Sequence, residues 1–179
     1  MTFLLINILA DVILVDIHDT PIGTMEKLEA HQKGVLHRAF SIFLFNDQKE
    51  LLLQKRANGK YHSAGLWTNT CCSHPAPQEN LMESVQNRLG EEMGITTDLS
   101  PIFSFTYKAV LENGLTEHEL DHVFIGHFNE SPSINPIEAS DWKYASLEEI
   151  NGEIKDHPES YTYWFKEIYQ RVFKHIKST

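Results

Sequence analysis

The chain predicts an α+β fold in which a mixed β-sheet is sandwiched by helices in an α/β/α arrangement. Three observations predict it. Runs of β-forming residues lie on both sides of one central helix. That helix carries Leu81, Val85, Leu89 and Met93 at four-residue intervals, so one apolar stripe faces a core. A second amphipathic stretch closes the chain, with Trp164, Phe165, Ile168, Val172 and Ile176 turned inward. With 179 residues and 41% hydrophobic content there is enough chain to bury one good core, and a single domain over 1–179 is the expectation.

The elements follow in order. Met1–Ala10 is apolar but lacks a basic leader region and is broken by Asn7, Asp11 and Asp16. Residues 1–11 therefore read as an irregular extension leading into a strand, too interrupted to span a membrane, with a signal peptide as the alternative. Val12–Val15 is a short strand, and Asp19-Thr-Pro-Ile-Gly23 reads as a turn. Arg38–Phe45 and Leu51–Lys55 are strands joined by a hairpin at 46–50. Leu66–Cys72 reads as a further strand and Glu79–Met93 as the central helix. Phe103–Leu111 turns at Glu112-Asn113-Gly114 into a strand over Glu117–Phe128. Trp142–Ala145 is a short strand and Leu147–Ile154 a short helix. A C-terminal helical segment occupies 156–179, amphipathic from Tyr161 to Ile176.

Composition excludes some functions. The net charge of −10 argues against nucleic-acid or anionic-membrane binding, which needs a basic face. It leaves room for a phosphate ligand, because a few cations and a metal can reverse the sign inside a pocket. The two cysteines, Cys71 and Cys72, are adjacent and cannot staple distant segments, which fits a reduced, cytoplasmic setting. A monomer is expected, with a dimer as the alternative.

Three patterns bear on chemistry. Cys72 and His74 project from one face if their segment is extended. Arg88 and Glu92, four apart on the helix, point a cation and a carboxylate the same way. His118-Glu-Leu-Asp-His122 matches the zinc-protease pattern, which works only on a helix. Here Val123-Phe-Ile-Gly-His-Phe128 follows at once, and that is strand-forming sequence. On a strand, Glu117 and Glu119 instead share a face, as metal ligands, as a ligand and a proton carrier, or as a solvated edge.

Thr24-Met-Glu-Lys-Leu-Glu-Ala-His31, Leu36-His-Arg-Ala-Phe40, Gly65-Leu-Trp-Thr-Asn69, Cys72-Ser-His-Pro75 and Glu117-His-Glu119 occur in this order. Together they closely resemble the type 1 isopentenyl-diphosphate isomerases of the Nudix superfamily, from about Val12 to Phe128 and more loosely beyond. The Nudix box is degenerate. Glu79, Leu89, Glu91, Glu92, Gly94 and Ile95 match, whereas Ser73 stands for the first Gly, Asn87 for Arg and Arg88 for a Glu. The resemblance implies a Nudix-like sheet that keeps a diphosphate and metal but has lost hydrolysis. A Nudix pyrophosphohydrolase acting on a nucleoside diphosphate derivative is the alternative, and a non-catalytic diphosphate-binding module a second rival.

The resemblance also implies residue roles. Cys72 and Glu119 take opposite faces of the substrate alkene, Tyr107 assists proton delivery beside Glu119, and Trp164 offers its ring to a carbocation. His31, His37, His74, Glu117 and Glu119 match a divalent site suited to Zn²⁺ or Mn²⁺, with Mg²⁺ a further possibility. Glu92 matches a ligand of a Mg²⁺ that bridges the diphosphate, and Lys27, Arg56, Lys60 and Arg88 match contacts to its oxygens. The remaining histidines, His62 among them, are expected to be structural or surface residues. Leu28–Val35, which carries His31, lacks strong periodicity and is expected to order with metal.

Overall fold

The computed structural model describes residues 11–178; the extension expected at Met1–Ala10 lies outside the described residues. β1 (Asp11–Val15) and β2 (Pro21–Glu26) pair antiparallel, and α1 (Lys27–Lys33) follows directly. Then come β3 (His37–Phe45), β4 (Leu51–Arg56), the short β5 (Trp67–Thr68) and β6 (Cys71–Ser73), and α2 (Leu81–Met93). β7 (Leu99–Val110), β8 (Thr116–His127), β9 (Ala139–Ala145), α3 (Leu147–Asp156) and α4 (Tyr163–Ser178) complete the order.

β3 is the axis of the mixed sheet. One edge runs parallel to β8 from His37 opposite Glu119 to Phe45 opposite His127. The other edge meets β1 at His37, β6 at Phe40–Ile42 and β4 at Phe45 in succession. β7 lies antiparallel outside β8, and β9 outside β4. Because both faces of β3 are covered, its sequence is a nearly unbroken apolar run. Phe40, Ile42 and Leu44 pack with Val85, Leu89 and Met93 of α2. Phe43 and Phe45 pack on the opposite side with Phe165, Ile168 and Val172 of α4. The sheet is thus enclosed between these two helices, as the sequence predicted.

Local chemistry explains where the elements differ from expectation. The turn expected at Asp19–Gly23 is shorter and earlier: the Asp16 carboxylate accepts from the backbone N–H groups of His18 and Thr20, and Pro21–Glu26 continues as a strand. α1 forms despite weak periodicity because the Glu26 carboxylate accepts from the N–H groups of Leu28 and Glu29, and Gly34 ends it at φ 60°. The C-terminal helical segment expected from 156 onward starts at Tyr163, since Pro158 opens a separate 3₁₀ turn over Pro158–Ser160.

The single strand expected over Leu66–Cys72 is two short strands broken at Asn69 and Thr70. Both side chains are buried there and take over backbone pairing. Asn69 Nδ2 donates to the carbonyls of Ile42 (3.2 Å) and Cys71 (2.7 Å). Thr70 Oγ1 donates to the Leu52 carbonyl and accepts from the Leu44 N–H. This break sets β6, and with it Cys72, against β3. Replacing Asn69 with Ala removes these two buried hydrogen bonds, and the expected loss is about 1–3 kcal/mol of stability. Denaturant unfolding checks this; an unchanged midpoint would show that the side chain does not hold the break.

Candidate active site

The register of four strands gathers the candidate groups. Glu119 of β8 lies opposite His37 of β3 and opposite Tyr107 of β7, while Cys72 of β6 lies opposite Ser41 of β3. Side chains alternate along a strand, so Glu117, Glu119 and Asp121 share the face on which His37, Ser41, Cys72 and Tyr107 project. Cys71 points the other way and is buried with Phe40, Ile42 and α2, as its neighbour's orientation requires. Cys72 and Glu119 open into one cavity, which Tyr107 and Trp164 also line. Trp164 is carried there by the start of α4, where the Thr162 N–H donates to the Trp67 carbonyl and the Thr162 hydroxyl donates to the Thr68 hydroxyl. His118-Glu-Leu-Asp-His122 lies wholly within β8, so its two histidines do not share a helix face.

Behind the cavity wall, His31, His37, His74 and Glu119 form a cluster whose potential ligand atoms all lie within 4.8 Å of one another. His31 and His37 are fully buried, and each Nδ1 lies by a backbone carbonyl, that of Lys27 (2.7 Å) and of Val35 (2.8 Å). That pairing puts the proton on Nδ1 and leaves a lone pair on each Nε2. Both Nε2 atoms are buried without a hydrogen-bond partner among the described residues. Buried polar atoms are rarely left so, and two aimed at one carboxylate suit a cation. Glu117 stands in a second, overlapping cluster, with His31 and His62.

Protonation states are divided across the cavity. Burial pushes the Cys72 thiol up to about 12, so it is neutral. Burial also favours the neutral form of both glutamates, and the charge of Glu119 adds to this at Glu117, pushing its carboxyl well above the usual range. At Glu119 the hydrogen bond with His74 Nε2, 2.8 Å from Oε1, together with the neighbouring His37 ring outweighs burial and keeps the carboxyl well below its usual range. Tyr107 Oη contacts Glu119 Oε2 at 2.7 Å and Glu117 Oε2 at 3.0 Å. One hydroxyl proton cannot serve both at once, and the shorter contact is the one to Glu119. The three groups form a continuous path for a proton.

Four cations, Lys27, Arg56, Lys60 and Arg88, line the same cavity together with Glu92. They crowd one another. Burial, then the charges of Lys60, Arg56 and Arg88, lower Lys27 to about 8. Two cations are held by carboxylates: Arg88 pairs with Glu92 and Glu91, and Lys60 with Glu138. Gln54 Nε2 also donates to Glu92, at 3.0 Å.

Comparison with known proteins decides the family. The NUDIX domain family matches residues 35–168. The isopentenyl-diphosphate Delta-isomerase of Pectobacterium atrosepticum is 51% identical over 164 residues, covering 92% of each chain. The isopentenyl-diphosphate Delta-isomerase 2 of Photorhabdus laumondii is 54% identical over 156 residues, covering 87% of this chain and 88% of the relative. The chain belongs to the isopentenyl-diphosphate Delta-isomerases, within the NUDIX family. The fold itself recurs at much lower identity. A Deinococcus radiodurans protein of known crystal structure superposes with a TM-score of 0.75 at 17% identity, covering 90% of this chain and 98% of that one.

Against this isomerase family, the structure brings all thirteen residues singled out in the sequence to one cavity or the histidine cluster behind it. It also adds some that the sequence reading left out. His62 is buried in the site, not a structural or surface residue, with its Nε2 3.7 Å from Glu117 Oε1. Its signal was only its place two residues after Lys60. Asp121 is buried on the face of Glu117 and Glu119, and Ser41 Oγ donates to it at 2.7 Å; extending the strand alternation by two residues would have found it. Glu138, buried beside Lys60 and Arg88, follows an irregular segment that offers no periodicity to read.

The buried imidazoles make stability depend on pH. Burial lowers His31 to about 4, His74 to about 3 and His62 to about 2. In the unfolded chain they would titrate near 6.5. Below that pH the unfolded state binds protons that the fold refuses, so stability falls as pH drops from about 6.5 through the folded values toward about 2. The steepest slope approaches about 4 kcal/mol per pH unit for three protons. Thermal unfolding of chelator-treated protein should show this decline, and a flat profile would contradict it. Across the described residues no helix is long and apolar enough to cross a membrane.

Proposed function

We propose that Cys72 and Glu119 carry the two proton transfers by which this enzyme interconverts isopentenyl and dimethylallyl diphosphate. One observation supports this above the rest: a neutral thiol and an ionised carboxylate open into the same cavity, and that cavity is also lined by four cations. The reaction adds a proton to the terminal carbon of the alkene, forming a tertiary carbocation, and removes one from the carbon on the other side of the cationic centre. One group must give and the other take, and their roles exchange in the reverse direction. Tyr107, held between Glu117 and Glu119, passes the proton along the carboxylate side. The Trp164 ring faces the cavity, where a desolvated cation–π contact is worth about 2 kcal/mol. The Trp164 wall helps to exclude the water that would trap the cation.

The diphosphate is held by Lys27, Arg56, Lys60 and Arg88, whose mutual repulsion an anion relieves. Glu92 would hold a Mg²⁺, whose charge would help to offset that of the diphosphate. His31, His37, His74, Glu117 and Glu119 would hold a second divalent ion, and the imidazole-rich donor set suits Zn²⁺ or Mn²⁺ better than Mg²⁺. When bound, that ion fixes the charge and orientation of Glu119. Hydrolysis is disfavoured because Arg88 stands where the box has a carboxylate and neutralises Glu92 instead of joining it in metal binding. Incubation with isopentenyl diphosphate and Mg²⁺ in D₂O, followed by NMR, should give deuterated dimethylallyl diphosphate. Phosphate release without isomer would support the hydrolase, and no turnover a binding module.

A further inference from the structure

A fourth histidine, His62, sits at the edge of the metal-donor cluster, on a loop that the isomerase motifs do not include. Its Nε2 is 3.7 Å from Glu117 Oε1, too long for a hydrogen bond. The separation between His37 Nε2 and Glu119 Oε1 in the main cluster is 3.6 Å. Donors at 2.0–2.2 Å from one shared ion lie about 3–3.4 Å apart, so both gaps need only a small contraction. The ligand atoms of His62, His31 and Glu117 all lie within 4.8 Å of one another, and His31, whose Nε2 is a buried orphan, belongs to both clusters.

The loop is built to hold His62 inward. Tyr61 meets its ring edge-on at 4.4 Å, Trp164 does so at 6.1 Å, and the His31 ring stacks on it at 5.8 Å. The next residue, Ser63, adopts a left-handed φ of 50°, costly for a residue with a side chain, and its N–H is held by the Glu112 carboxylate. Arg56 Nη2 donates to the His62 carbonyl at 3.3 Å. Contacts from both sides thus fix a ring whose Nε2 faces a carboxylate it does not hydrogen-bond.

We propose that His62 is a further ligand of the divalent ion, entering with Glu117, so that four imidazoles and two carboxylates converge on one ion. This rests on the metal site proposed above. A donor set of that kind favours Zn²⁺, Co²⁺ or Mn²⁺ strongly over Mg²⁺.

The test uses the full chain, stripped with chelator and titrated with Co²⁺, whose visible spectrum reports coordination. Mn²⁺-loaded samples give the number of coupled imidazole nitrogens by pulsed EPR. His62→Phe keeps a ring between Tyr61 and Trp164 but has no donor. It should bind Co²⁺ at least about tenfold more weakly, with an altered spectrum, and show three coupled imidazoles where the parent shows four. Wild-type affinity, spectrum and count in His62→Phe would overturn the proposal. Should that variant not fold, His62→Gln is read by the same measurements and judged by the same outcomes. His37→Ala separates the two readings. If it loses Co²⁺ while His62→Phe binds normally, only the role of His62 fails. If it too binds normally, the metal site itself is refuted.

Discussion

Cys72→Ala is expected to lower kcat/KM for isopentenyl diphosphate by about 10³-fold, within the 10²–10⁴ range of a lost acid–base group. The thiol is held neutral by burial, and it faces the cavity because Ser41 sits opposite it across β3 and β6. Cys71 cannot substitute, since its sulfur lies on the far side of the sheet among Phe40, Ile42 and α2. The cationic side of the cavity is untouched by the change, so binding of a non-reactive diphosphate analogue should survive within a few-fold. Calorimetry for binding and NMR for product separate the two effects. Substantial turnover by Cys72→Ala would remove Cys72 from the chemistry, and lost binding would make it a structural residue.

Glu119→Gln is expected to cost at least as much, about 10³-fold or more, but with a second signature. Glu119 accepts from Tyr107, lies 2.8 Å from His74 Nε2 and shares the cluster of His31, His37 and His74. A neutral amide cannot take a proton and is a poor partner for a divalent ion. Activity and metal affinity should therefore fall together, whereas Cys72→Ala should leave metal affinity unchanged. Measuring bound metal alongside turnover checks this. Parallel behaviour of the two variants toward metal would place Glu119 outside the cation site.

Much of this arrangement could be read from local pattern. The four-residue stripe of α2 and the apolar face of α4 pointed to two covering helices. The alternation of Glu117 and Glu119 placed both on one strand face, which the β8 register then set beside His37 and Tyr107. What could not be read was long-range. Nothing local announces that Asn69 and Thr70 spend their side chains on the carbonyls of β3 and β4, because those partners are 27 and 18 residues distant. His62 was missed for a related reason. Its loop has no period, and only the strained turn at Ser63 and the packing of Trp164 from the other end of the chain bring the ring inward. Pro21–Glu26 was misread because Pro and Gly usually mark turns, yet both are tolerated on the edge strand β2.

The most direct measurement is a crystal structure of the enzyme with dimethylallyl diphosphate and Mg²⁺. The account predicts the five-carbon chain between Cys72 Sγ and the Glu119 carboxylate, the branched carbon that bears the charge in the intermediate toward the Trp164 ring, and the diphosphate among Lys27, Arg56, Lys60 and Arg88. A five-carbon chain lying in another cavity, or with Cys72 and Glu119 on the same side of it, would contradict the account.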